Sequence, residues 1–574
     1  MKRSIATVSL SGLLSDKLEA IAAAGFDGLE IFDNDLIASP LTPREVAQRC
    51  AELGLTIDLF QPVRDVEGVP PDRFDAVLHR FRVKLGVMAE LGATTVLCCS
   101  NVARDAVDDP DLSAAQLARL GDLAAEQGAT IAYEALAWGR HVHRVGQAWE
   151  IVQRADHPAV TLAVDTFHML ARGDDGTALA GVPGGRIGFL QVADAPLLDM
   201  DVLEWSRHFR CFPGEGMLDV AGVVGACVEA GYDGPVSLEV FSDVVREADP
   251  HVTARDAMRS LLHLEDQAPP APSRVDPAFL EVPGSPAITG LLGSLGFSVA
   301  GRHRTKPVTW WRNGGAHVVV NDGSPDPALG VVASPVPAVA ARAKALLWPE
   351  VDRTRGAGEA HLPGITSPSG LHVFVSAPEG EDDDWQQDFT PEPAGGDWTG
   401  IDHVAIAVPA ERLNEEVSFL RTLFDLAPGA VEEFMEPHGR LRSRAFRPSA
   451  GHLRVVLNVE DSSRGPATGI TQVAFACPDV RAAVRAMRDA GVVLMPVPDN
   501  YYVDLEARFG LSPEALADLR SHGLLYDRAG DGELLHAFTA PLPTGFHVEV
   551  LERSGGYDGY GSASTHVRLA AQRV

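Results

Sequence analysis

The chain has 574 residues, 45% apolar and 22% charged, without an uninterrupted apolar span, which points to about three or four folded domains and excludes wholesale disorder. Its 48 basic and 79 acidic residues leave a formal charge of −31, a field that repels polyanions and excludes nucleic acid and anionic membrane surfaces as expected partners. Six scattered cysteines (Cys50, Cys98, Cys99, Cys211, Cys227, Cys477) contain no C-x-x-C pair and read as reduced and buried, so a cytoplasmic protein is expected.

Residues 1–265 alternate short β-rich apolar runs with Ala/Leu-rich amphipathic stretches. The stretch from Met1 is broken by Ser9, Gly12 and Ser15 before Asp16 and Lys17, so a first strand is expected there and not a leader. Further strands are expected in GLEIFDND, TIDLFQPVRD, TTVLCCSN, TIAYEALA, VTLAVDTFH, RIGFLQVAD and PVSLEVFSD, with helices such as DKLEAIAAAG and FRVKLGVMAELG between them. Most of these helices close on glycine (Gly25, Gly54, Gly92, Gly128, Gly231), the residue that accepts a left-handed helix end. Eight βα units in roughly 260 residues match a TIM barrel. The Pro-rich stretch 266–277 reads as a linker. Beyond it, segments of several strands and one helix recur, which predicts an α+β domain of repeated βαβββ units in two halves, 278–395 and 396–574. The acidic stretch from Glu379 to Trp398 reads as a connector.

In such a barrel the chemistry sits at the C-terminal ends of the strands. The ends of strands five to eight carry Glu134, Asp165, Gln191 and Glu239. Three carboxylates and an amide oxygen form a hard, all-oxygen set that suits Mg²⁺ or Mn²⁺ and tolerates Co²⁺. Each residue alone could equally cap a helix or pair with an arginine; four on one face point to a metal. His168, in Asp-Thr-Phe-His, is placed to act as general base or to orient Asp165. Arg64 in LFQPVRDVEG and Arg210 in HFRCFPGEG lie on strand-end loops, where a guanidinium could grip an anionic substrate or simply close a salt bridge.

The stretches GFDGLEIFDNDL, LFQPVRDVEG, YEALAWGRHVH, AVDTFH, FLQVADA, CFPGEG and SLEVF resemble the sugar-phosphate isomerase/endonuclease-like metal barrels, and more closely the bacterial 3-dehydroshikimate dehydratases. The resemblance carries the family's metal ligands to Glu134, Asp165, Gln191 and Glu239. It implies a metal-dependent carbon–oxygen lyase of quinate and shikimate catabolism acting on a small anionic cyclic substrate, 3-dehydroshikimate, to give protocatechuate. Some smaller members have a histidine two residues after the first glutamate; here that position is Leu136. Arg64 or Arg210 would then hold the ring carboxylate.

The second half, in IDHVAIAV, PVPDNYYVDLEARFG, LLYDRAGDGELLHAFT and FHVEVLERSGGYDGYGSAS, resembles 4-hydroxyphenylpyruvate dioxygenase of the vicinal-oxygen-chelate superfamily. The family's Fe(II) triad would fall on His403, Glu549 and a second histidine, but Gln472 stands at that third position, and His536 occupies a usual glutamine position. Two other functions are compatible with these residues. One is a sugar or cyclitol isomerase or epimerase on the same barrel site. The other is a bifunctional chain whose C-terminal half is an oxygenase or an aromatic-acid binding module. The large apolar C-terminal sheets could also support a homo-oligomer.

Overall fold

Eight parallel strands, β1 (Arg3–Ala6), β2 (Gly28–Phe32), β3 (Thr56–Val63), β4 (Thr95–Cys99), β5 (Thr130–Glu134), β6 (Val160–Asp165), β7 (Ile187–Val192) and β8 (Val236–Leu238), pair in chain order, and β8 pairs back onto β1. The result is the closed TIM barrel that the alternating pattern predicts. This computed structural model describes residues 1–436, 439–462 and 469–571 and divides into two compact units, Met1–Gln267 and Ala268–Val574. Helices begin where the sequence supplies caps: Thr42 and Glu45 form a reciprocal capping box, and Asp109 accepts two N–H groups of the helix Pro110–Glu126. They end on left-handed glycines, as at Gly25 (φ 86°) and Gly92 (φ 74°).

Side chains alternate between the two faces of each strand. Leu59, Leu97, Ala132, Ala163 and Phe189 form a small inner cluster, whereas Phe60, Val96, Ile131, Leu162 and Leu190 join the larger core that includes the surrounding helices. The inner rows therefore point along the barrel axis toward its mouth.

The second unit contains two eight-stranded sheets. The first comprises β9 (Val275–Pro283), β10 (Ser298–His303), β11 (Val308–Asn313), β12 (Ala316–Asn321), β13 (Ala328–Ala333), β14 (Gly364–Thr366), β15 (His372–Ser376) and β16 (Phe389–Pro391). The second comprises β17 (Gly400–Ala407), β18 (Ala427–Glu436), β19 (Gly439–Arg447), β20 (Val455–Ser462), β21 (Gly469–Ala476), β22 (Leu525–Ala529), β23 (Gly532–Phe538) and β24 (His547–Ser554). The two share one pairing scheme: β13 runs antiparallel to β9 and parallel to β15, as β21 does to β17 and β24.

Two stretches depart from the sequence expectation. Within the expected linker 266–277, Val275, Asp276 and Pro277 already pair with Ala333, Val332 and Val331, because β9 begins there. The expected connector supplies β16 and buries Trp385 and Phe389 in the first sheet's core, so its acidic residues flank an apolar anchor. Among the described residues no helix is long and apolar enough to cross a membrane.

Candidate active site

The polar lining of the barrel mouth is the next inward-facing step of each strand. Two residues beyond Leu59, Leu97, Ala132, Ala163, Phe189 and Ser237 stand Gln61, Cys99, Glu134, Asp165, Gln191 and Glu239, all buried. Asp165 ends β6 and caps the short helix Thr166–Ala171, its Oδ1 accepting the His168 N–H at 3.1 Å, which fixes His168 beside it. One donor atom from each of Glu134, Asp165 and His168 lies within 4.8 Å of the other two.

Burial, then the charges of Asp165 and Glu239, push the Glu134 carboxyl up to about 8, and burial pushes Glu239 up to about 7. Arg210 offsets part of this repulsion. Its Nη1 donates to Asp165 Oδ2 at 2.9 Å and Glu239 Oε2 at 3.2 Å, and Asp165 stays below the ordinary carboxylate range despite burial. One guanidinium cannot neutralise three buried carboxylates, so the cluster still calls for a cation. Two oxygens are ready for it: Glu134 Oε1 and Gln191 Oε1 are buried without a hydrogen-bond partner. The Gln191 amide is turned this way by Glu30, which accepts from Gln191 Nε2 at 2.7 Å, from Gln61 Nε2 at 3.0 Å and from the Ser237 hydroxyl. This donor set fits a hard divalent ion.

For His168 and Arg210 the sequence leaves two roles open, and the surroundings of each favour the second. The Ala137 N–H donates to His168 Nδ1 at 3.1 Å, and Nε2 lies 3.7 Å from both Glu134 and Asp165. Burial, with Arg210 Nη2 only 3.1 Å from Nε2, drives its pKa down to about 3. Such a ring is neutral and a poor proton acceptor, so the geometry favours an orienting role over general base. Arg210, expected as a substrate anchor, is fully buried with its donors engaged by Asp165, Glu239 and Ser206. It is an internal counter-charge. Arg64 and Arg207 form no ion pair with any described residue; Arg207 lies over the rings of Trp138 and Phe241 at 5.6 and 5.2 Å.

In the second unit His403, Gln472 and Glu549 do come together, on the central strands β17, β21 and β24. Gln472 Nε2 donates to Glu549 Oε2 at 2.5 Å, His536 Nδ1 is 2.7 Å from Glu549 Oε1, and His403 Nε2 is 3.3 Å from Glu549 Oε2. Against the cost of burial, hydrogen bonds to Asp402 and Glu549 raise His403 to about 9. The Gln472 amide, between His403 and Glu549, faces both with its donor nitrogen and not with a lone pair. With a glutamine in place of the second histidine, these residues do not fit an iron triad. The same network predicts a pH effect. A histidine whose folded pKa is raised from 6.5 to about 9 contributes stability below pH 6.5 that is lost as pH rises through about 9, here about 3 kcal/mol. Thermal unfolding of the full chain should show this alkaline decline, and His403→Gln should lack it; equal pH profiles would refute the charged-histidine assignment.

Residues 18–264 match the family Xylose isomerase-like TIM barrel, and residues 400–516 match the Glyoxalase/Bleomycin resistance protein/Dioxygenase superfamily. Over its whole length the chain is 42% identical to the 3-dehydroshikimate dehydratase of Pseudomonas putida and 43% identical to that of Pseudomonas aeruginosa, covering 98% of each. The chain belongs to the 3-dehydroshikimate dehydratase family. A solved xylose isomerase-like TIM barrel/4-hydroxyphenylpyruvate dioxygenase fusion protein, 40% identical, aligns with a TM-score of 0.92 over 100% of this chain and 99% of that one.

In a 3-dehydroshikimate dehydratase of this two-unit kind, Glu30, Gln61 and Ser237 stand inside GFDGLEIFDNDL, LFQPVRDVEG and SLEVF without being singled out by them, and Arg207 lies outside every such stretch. Glu30 and Gln61 carried a usable signal: each is a polar residue inside an apolar strand, two positions from an inward-facing neighbour. Arg207 carried none, because it sits on a short helix whose direction only the closed barrel sets.

Proposed function

We propose that the barrel dehydrates 3-dehydroshikimate to protocatechuate, with Glu134, Asp165, Gln191 and Glu239 holding a divalent cation, Mg²⁺, Mn²⁺ or Co²⁺. The whole-length match to two dehydratases carries the reading. It is supported by the unpartnered Glu134 and Gln191 oxygens that face the carboxylate cluster. When bound, such an ion supplies Lewis-acid polarisation of a carbonyl oxygen.

The chain's own groups do the rest. Arg64 and Arg207 would take the substrate carboxylate, since Arg210 is already engaged. Neutral His168 would hold Asp165 in place beside Arg210, which moves the proton-accepting role to a carboxylate of the cluster. Removal of the C–H proton beside the ketone lets the hydroxyl on the next carbon leave as water. A further proton shift then makes the ring aromatic. Trp138, Phe167 and Phe241, packed around His168 and the arginines, exclude bulk water. The isomerase alternative leaves this ring-carboxylate grip without a purpose. The six cysteines, all unpaired and buried, agree with a cytoplasmic setting.

Chelator-stripped protein given Mn²⁺ and 3-dehydroshikimate should develop the near-ultraviolet absorbance of protocatechuate; folded protein that yields none with any of the three metals would end this reading. Arg64→Ala and Arg207→Ala should each raise KM about tenfold or more with a smaller change in kcat, the signature of lost uniform binding. Unchanged KM in both variants would remove them from the substrate site.

A further inference from the structure

The pairing scheme shared by the two C-terminal sheets allows a row-by-row comparison. In the second sheet the row His403–Ala474–Glu549 crosses β17, β21 and β24 and carries the polar network. The corresponding row of the first sheet is Phe279–Gly330–Phe374 across β9, β13 and β15. Polar groups are thus replaced by two phenyl rings. Gly330 is what permits this: a Cβ there would stand 2.3 Å from Phe279 Cε1, so any side chain would displace the ring.

Above this row lies a cavity of about 580 Å³, a size that suits a small molecule. Its floor is aromatic: Trp385 packs on Phe279 with ring centroids 4.7 Å apart and on Phe389 at 5.7 Å. Its wall is polar. The Arg353 guanidinium lies 4.8 Å over the Phe374 ring and forms no ion pair with any described residue. Glu281, on β9 two residues beyond Phe279, accepts from Asn321 Nδ2 at 2.7 Å and is buried enough to raise its carboxyl pKa, with Arg353 and His372 facing it. Lys306, by contrast, is engaged by Glu359 at 2.8 Å.

We propose that this cavity binds a hydroxylated aromatic carboxylic acid, its ring against Phe279, Trp385 and Phe389, its carboxylate on Arg353 and a ring hydroxyl donating to Glu281. A guanidinium over a ring and without an ion-pair partner has N–H groups to offer a carboxylate, and a planar ring stacks on the aromatic floor as a saturated one does not. The binding stands apart from the dehydratase reading.

The test is calorimetric titration of metal-stripped, full-length protein with 3,4-dihydroxybenzoate. Saturable binding should weaken about tenfold or more in Arg353→Ala, the scale of one lost charge-assisted pair, and should persist in Arg207→Ala. Cyclohexanecarboxylate should bind at least about tenfold more weakly than the aromatic acid. Affinity unchanged by Arg353→Ala, loss of binding in Arg207→Ala, or equal affinity for the saturated acid would each overturn the assignment. Arg353 lies outside every helix and strand, so its variant tests binding without threatening the fold. Dehydration by Arg353→Ala protein should match the parent, which separates failure here from failure of the barrel reading.

Discussion

Glu134→Ala is expected to lose metal-dependent dehydration by more than about 10³-fold, the rate equivalent of the several kcal/mol that a Lewis-acid ion contributes. The expectation rests on the unpartnered Glu134 Oε1, which faces two other carboxylates in a buried pocket. The readout is double. In the parent, Mn²⁺ at about 100 times its Kd should add about 2.7 kcal/mol of stability by mass action, and that gain should vanish in the variant. Without metal the variant should lose little, because removing one of three mutually repelling carboxylates offsets the cavity it leaves. His168→Gln supplies the contrast, since it should keep metal affinity within a few-fold and still turn over. A His168 variant with intact metal binding and no activity would restore the general-base role. Retained metal stabilisation in Glu134→Ala would remove Glu134 from the site.

Arg210→Leu should cost about 3–5 kcal/mol of stability in metal-free protein, the usual consequence of leaving buried carboxylates without their counter-charge. Arg210 is enclosed between Asp165 and Glu239 and lies 4.5 Å over the Phe167 ring, so leucine replaces its packing in part and its charge not at all. A divalent cation would restore some of that positive charge. The Mn²⁺-induced rise in Tm should therefore be larger in Arg210→Leu than in the parent, measured by thermal unfolding with and without metal. A Tm equal to the parent's in metal-free protein would mean that the carboxylates are already protonated and that Arg210 is not their counter-charge.

The barrel could be read from the sequence alone. Apolar runs separated by glycine-terminated helices demand a covered parallel sheet, and eight evenly spaced units in about 260 residues favour closure over an open, doubly wound one. Glu134, Asp165, Gln191 and Glu239 were legible for the same reason. They end strands five to eight, and period-two alternation places each two residues beyond an inward-facing one. Gln472 was legible as a break in a metal pattern only through the resemblance to the dioxygenases, whose second histidine it replaces.

Closure and packing decided the rest. Glu30 turns the oxygen of Gln191, a residue 161 positions away, only because β2 and β7 face each other across one barrel. In sequence Arg210 could grip a substrate or close a salt bridge, and His168 could be a base or orient Asp165; folding sets Arg210 between two carboxylates and gives the His168 Nδ1 the Ala137 N–H. Trp385 and Phe389 look like isolated aromatics in an acidic connector, yet they form a cavity floor once β16 pairs with β10. Local pattern sets which face of a strand or helix a side chain occupies. The partner it meets there, and with it the group's charge state and role, depends on contacts between residues far apart in the chain, which a periodicity does not encode.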